Sequence, residues 1–127
     1  MQIKESAENY LEMILILKEQ NGQVRSIDVA NELGFSKASV SIAMKKLRES
    51  GFIHVEDDGS IVLEPSGHAI ASKMYERHKV LTQLLIDAGV GSDTAAKDAC
   101  KMEHVISNES FQCLKAYYLS NKASLPS

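Results

Sequence analysis

The stretch from Ser36 to Gly51, SKASVSIAMKKLRESG, constrains the fold more than any other. Ser36 is a favoured N-cap, because its hydroxyl accepts a free amide of the first turn. Gly51 is a favoured C′ residue, because it takes the left-handed conformation without a Cβ clash. Val40, Met44 and Leu47 recur at helical spacing and supply one buried stripe. The other face carries Lys37, Ser39, Ser41, Lys45, Lys46 and Arg48, and no acid occurs from Ser36 to Arg48. A solvated amphipathic helix explains this segment taken alone equally well. A cationic, hydroxyl-bearing face also suits a major groove, where lysines meet phosphates and short polar groups reach base edges.

The flanking residues favour the second explanation. Upstream, RSIDVANELGF holds a short helix: Ser26 or Asp28 can cap it, Ile27, Ala30 and Leu33 give the apolar spacing, and Gly34 closes it. A short helix, a tight turn and a capped basic helix form a helix-turn-helix. Downstream, Phe52–Val55 and Ile61–Leu63 are short β-rich runs around Asp58-Gly59, a pair that favours the positive φ angles of a hairpin turn. Helix, turn, basic helix and hairpin is the order of a winged helix, a fold that also serves in protein-binding modules.

At 127 residues with a net charge of −3, the chain is long enough for a real core and too acidic to coat nucleic acid non-specifically. DNA binding then rests on the local patch. The longest apolar run, Met13–Leu17, cannot span a membrane. The polar start MQIKESAEN is not a signal peptide, and two cysteines make no disulfide framework, so a cytoplasmic location is expected. Met1–Lys4 and the tail KASLPS are expected to be loose. Ser6 caps a first helix running to about Gln20, with Ala7, Tyr10, Leu11, Ile14 and Leu17 on one face and Asn9 and Glu12 on another; Asn21-Gly22 stops it. Pro65-Ser66-Gly67 opens a long helix, roughly Ser66 to Ala88, whose apolar stripe is Ile70, Met74, Leu81, Leu84, Leu85 and Ala88. A helix capped by Ser92 carries Ala95, Ala99, Met102 and Ile106, and one capped by Asn108 carries Phe111, Leu114, Tyr117 and Tyr118. The chain thus reads as mainly α: an N-terminal winged helix-turn-helix with a two-stranded wing (residues 1–64), then a helical domain expected to pack against a second copy (residues 65–127). A homodimer is expected, because two-fold readers bind two half-sites.

Within DACKMEHVIS, Cys100, Glu103 and His104 stand at i, i+3 and i+4 and project from one helix face. Sulfur, carboxylate and imidazole suit a borderline divalent transition metal. An inert core cysteine beside a common Glu-His pair is the simpler explanation of the triplet by itself. His78, with Asn9 and Glu12, offers further ligands. His54 and His68 are expected to be solvated, and Cys113 to pack. No Ser-His-Asp arrangement or phosphate-cradling Gly loop is present, so neither an enzyme nor a small-molecule substrate is expected.

The residues AENYLEMILIL, SIDVANELGFSKASVSIAMKKLRESGFI, LEPSGHAIA, Arg77-His78 and above all ACKMEHVIS resemble the iron- and manganese-dependent repressors of the diphtheria toxin repressor family, especially its short manganese transport regulator branch without an SH3-like domain. The resemblance covers about Ser6 to Ser107. It implies a homodimeric repressor that binds double-stranded operator DNA when loaded with Fe(II) or Mn(II). It also implies metal ligands at Asn9, Glu12, His78, Cys100, Glu103 and His104, and DNA contacts from Ser36, Lys37, Ser39, Ser41, Lys45, Lys46 and Arg48.

Two departures from the family pattern stand out. Asn9 replaces the aspartate of manganese sensors or the methionine of iron sensors. Cys100 replaces the bridging glutamate of the manganese branch and matches the iron branch, favouring Fe, Co, Ni or Zn over Mn. Thr82 and Ala96 stand where the iron branch has ancillary ligands, so one strong site per subunit is expected. The alternatives are a winged-helix regulator that has lost metal control, which Asn9 keeps open, and a winged-helix protein-interaction module.

Overall fold

The computed structural model describes residues 5–124; the expectation for Met1–Lys4 and for the last three residues of the tail lies outside them. The elements run α1 (Glu5–Asn21), α2 (Ser26–Leu33), α3 (Lys37–Glu49), β1 (Ile53–Val55), β2 (Ile61–Leu63), α4 (Pro65–Asp87), α5 (Ser92–Val105) and α6 (Asn108–Ser124). The chain forms two compact units that divide inside α4, the first ending at Tyr75 and the second starting at Glu76.

In the first unit, Ser36 caps α3: the Ser39 amide donates to its hydroxyl at 3.1 Å, and the two hydroxyls bond at 2.9 Å. The helix ends in a Schellman motif. Gly51 takes φ +81°, its amide reaches the Arg48 carbonyl at 3.0 Å, and the Phe52 amide reaches Leu47 at 3.0 Å. Val40, Met44 and Leu47 are buried, as their spacing predicts. They pack with Leu11, Ile14, Leu15 and Leu17 of α1, with Val24, with Val29 and Ala30 of α2, and with Ile53, Ile61 and Ala71.

Four expectations for this unit need correction. Ser6 does not cap α1 but lies inside it, because the helix already includes Glu5. On α2, Val29 is fully buried and Ile27 is exposed. Neither Ser26 nor Asp28 is the N-cap; Arg25 is, and its amide donates to the Asp28 carboxylate at 2.9 Å. In the wing only Gly59 takes positive φ (+89°), and Asp58 does not. The turn spans Glu56–Gly59, closed by the Gly59 amide on the Glu56 carbonyl at 2.9 Å, with the Asp58 carboxylate accepting the Ser60 amide.

The wing is a two-stranded antiparallel sheet with Ile53 opposite Leu63, His54 opposite Val62 and Val55 opposite Ile61. The Ile61 amide also reaches the Val24 carbonyl at 2.8 Å, so the α1–α2 connection borders the sheet. Pro65 begins α4, where its missing amide costs nothing. The start of α4 is locked to the end of α3: Ser66 Oγ donates to the Gly51 carbonyl at 3.0 Å, and a Cβ on Gly67 would sit 2.1 Å from the Phe52 carbonyl oxygen.

The second unit holds the rest of α4 with α5 and α6. The buried face of α4 is Gly67, Ala71, Met74, Arg77 and Leu81. Of the expected stripe, Met74 and Leu81 are buried, Ile70, Leu84 and Leu85 are half-buried, and Ala88 lies beyond the helix end and is exposed. Ala95 and Ala99 of α5 and Phe111 of α6 are buried, Met102 is half-buried and Ile106 falls just past α5. Tyr117 is exposed, and so is Cys113, which therefore does not pack as expected. Helix α6 continues to Ser124, into the stretch expected to be loose.

Candidate functional site

Helix α5 places Cys100, Glu103 and His104 on one face, with a sulfur, a carboxylate oxygen and a ring nitrogen all within 4.8 Å of one another. Glu103 is fully buried (0% exposed) and the His104 side chain nearly so (2%). Glu103 Oε1 lies 3.7 Å from His104 Nε2, and Oε2 lies 3.7 Å from Nδ1 of His78 on α4. Burial pushes the His78 imidazole below its ordinary range, towards the neutral form that can ligate.

The second unit thus brings together four of the six expected metal ligands. The other two, Asn9 and Glu12, lie on α1 in the first unit, where Asn9 is half-buried and Glu12 buried.

Arg77 is the site residue that ligand spacing does not reveal. Its Nη1 donates to the backbone carbonyls of Glu103 at 3.0 Å and Ile106 at 2.9 Å, and its guanidinium stands 5.4 Å from the centre of the Phe111 ring. A cation thereby satisfies carbonyls at the negative end of α5 and joins α4, α5 and α6. A buried carboxylate beside two imidazoles and a thiol is costly without positive charge, and this donor set fits a borderline divalent transition metal. Beside the Arg77-His78 pair that carries part of the family resemblance, charge at a helical core position was the sequence signal for Arg77.

On the first unit, Lys37, Ser39, Ser41, Lys45, Lys46 and Arg48 are all exposed on α3. Ser36 is exposed as well, with its hydroxyl engaged in the cap. Ser26, Ile27, Lys37 and Ser41 line a shallow groove where α2 and α3 begin. His54 and His68 are exposed, as expected. His54 lies between Glu64 and Glu56, and hydrogen bonds to these carboxylates raise its pKa above the ordinary range.

A winged helix-turn-helix with a cationic recognition helix, joined in one chain to a helical unit that clusters metal-ligating side chains, defines a class: DNA-binding regulators with a metal-binding domain. Residues 2–61 match the iron-dependent repressor N-terminal DNA-binding domain, and residues 64–122 match the iron-dependent repressor metal-binding and dimerisation domain. The transcriptional regulator MntR of Salmonella typhimurium is 32% identical over 90% of this chain and 73% of its own length. An uncharacterized HTH-type transcriptional regulator of Methanocaldococcus jannaschii is 32% identical over 91% of this chain and 94% of its own. Among solved structures, a manganese-dependent transcriptional repressor in complex with manganese superposes with a TM-score of 0.80 at 27% identity, covering 88% of this chain and 52% of that one. The manganese regulator SloR gives 0.78 at 23% identity, over 92% and 54%. This chain therefore spans about half the length of those two solved structures. It belongs to the iron-dependent repressor family of transcriptional regulators.

Proposed function

We propose that the chain is a metal-responsive repressor that binds double-stranded operator DNA in the cytoplasm as a homodimer. Residues 1–64 bind DNA and residues 65–127 bind metal and dimerise. The observation that carries the reading is the convergence of Cys100, Glu103 and His104 on α5 with His78 beside Glu103. In this reading Cys100 Sγ, the Glu103 carboxylate, His104 and His78 are ligands, and Glu12 and Asn9 join them on the strength of the family resemblance. Cys100 is a ligand rather than a nucleophile. On α3, Ser36, Lys37, Ser39, Ser41 and Lys45 read or position DNA, and Lys46 and Arg48 add charge.

The ion is Fe(II) or Mn(II). The names of the relatives point to manganese, whereas this chain's own donors, a thiol at 100 and a neutral amide at 9, point to a softer ion. Bound metal supplies fixed positive charge that favours one arrangement of the chain. It shifts the population towards the DNA-competent form only as far as it binds that form more tightly.

The test is anaerobic titration of the purified protein with Fe(II), Co(II) and Mn(II), read by calorimetry and by cobalt absorption. The reading expects one tight site and a sulfur-to-cobalt charge-transfer band that Cys100→Ser removes. Glu103→Ala should lose at least about tenfold in affinity while circular dichroism stays helical. If none of the three ions binds tightly, metal control is absent and a winged-helix regulator answering another signal replaces this reading.

A further inference from the structure

The outward face of α3 is not uniformly polar. With Val40, Met44 and Leu47 facing the core, a rotation of 100° per residue places Ala38, Ile42, Lys45 and Glu49 opposite them. Ile42 is 59% exposed, at the centre of that line. Ser41 and Lys45 flank it on one side, Ser39 and Lys46 on the other. A lone exposed apolar residue is ordinarily unremarkable. Three features set this one apart. It stands in the middle of a cationic helix face that carries no acid before Glu49. Its β-branched side chain is not favoured for an exposed helix position. Ala38, one turn earlier, extends the apolar strip towards the N-terminal end of α3, while the acid of the line, Glu49, is at the far end.

We infer that Ile42 is a specificity-determining residue that packs its side chain against the C5 methyl of a thymine in the major groove. The inference rests on the reading of α3 as the helix that enters the groove. The cations around Ile42 match the phosphates on both walls of that groove, and the thymine methyl is the apolar group on its floor. Helix-turn-helix proteins present the N-terminal part of the recognition helix to the bases, which brings Ala38 and Ile42 forward and leaves Glu49 clear. Lysines that meet phosphates carry no sequence information, so base choice falls to the short side chains and to Ile42.

The experiment is selection of binding sites from a random duplex library by the full chain, with and without Mn(II), followed by affinity measurements on the selected site. The wild type should enrich a two-fold motif with a T·A pair at one position of each half-site. Replacing that thymine by deoxyuridine, which lacks only the methyl, should weaken wild-type binding by about three- to tenfold. The same replacement should change binding by Ile42→Ala less than twofold, and Ile42→Ala should lose its preference at that position alone.

Deoxyuridine tolerated at every thymine by the wild type would overturn the inference and leave the DNA-binding reading intact. No enriched motif with either protein, with or without metal, would overturn that reading and this inference with it. A changed sedimentation coefficient in Ile42→Ala, with unchanged base preference, would show a second copy covering the face instead. The position is solvent-exposed, so circular dichroism of Ile42→Ala should match the wild type.

Discussion

Arg77 stands where helical periodicity asks for an apolar side chain, between Met74 and Leu81 on the buried face of α4. Its two bonds to the carbonyls of Glu103 and Ile106 fix the backbone that carries Glu103 and His104. Arg77→Met keeps the volume and strands both acceptors, so urea unfolding should show a loss of about 2–4 kcal/mol. Ser36→Ala removes a real cap and should cost about 1 kcal/mol by the same measurement. At His54 the sign follows from its raised pKa. The contribution of its contacts to Glu64 and Glu56 is present below the unfolded value of about 6.5 and fades as pH rises through the higher folded value. NMR titration should place His54 above 6.5, and Glu64→Gln should bring it down; an unchanged titration in that variant would remove Glu64 as the main cause. The chemistry of single residues was legible in the sequence where one type has one use, as for the Ser36 cap. It was not legible for Arg77, because nothing local announces that a charge on an apolar face has two carbonyls to meet.

At the scale of elements, the junction between α3 and α4 is closely packed. The Phe52 carbonyl accepts the Glu64 amide at 2.8 Å, and a Cβ on Gly67 would fall 2.1 Å from the same oxygen. Gly67→Ala gains about 1 kcal/mol of helix propensity and must push backbone aside, an overpacking cost of about 1–3 kcal/mol or more. Net destabilisation in urea is expected; a more stable variant would mean that α4 slides freely on the wing. Helix C-termini and the start of α4 were readable from the sequence because their signals are local: Gly34, Gly51 and Pro65 mark them as expected; the N-caps of α2 and α5 were not, since Arg25 and Gly91 cap them in place of the expected Ser26 or Asp28 and Ser92. The buried face of α2 was not. In eight residues Ile27, Ala30 and Leu33 satisfy the helical period as well as Val29, Ala30 and Leu33 do, and only tertiary packing chooses the second set. The wing turn failed for a related reason: Asp58 uses its carboxylate on the Ser60 amide in a longer turn instead of taking positive φ.

At the scale of the whole molecule, an acidic chain with one cationic helix face should bind DNA through a small number of phosphates. The affinity should fall steeply with salt. If Lys37 meets one phosphate in each subunit of a dimer, Lys37→Gln should reduce the log–log salt slope by about 2 and leave the selected motif unchanged. A slope unaffected by Lys37→Gln would take that lysine out of the interface. The order of elements and the triplet on α5 were open to inspection in the sequence, since both depend on spacing within single segments. His78 was open to inspection as a further candidate ligand, but its convergence with Glu103 was not, because that joins two helices through the packing of the second unit.

The central claim is that metal held by Cys100, Glu103 and His104 controls DNA binding. The most direct measurement is the affinity of the purified chain for its selected DNA site, anaerobically, with Fe(II) or Mn(II) and then with chelator, for the wild type and for Glu103→Ala and His104→Ala. The account predicts at least about tenfold tighter binding of the wild type with metal, reversed by chelator, and no metal response in either variant. Equal affinity with metal and with chelator in the wild type, or a metal response that survives in both variants, would contradict it.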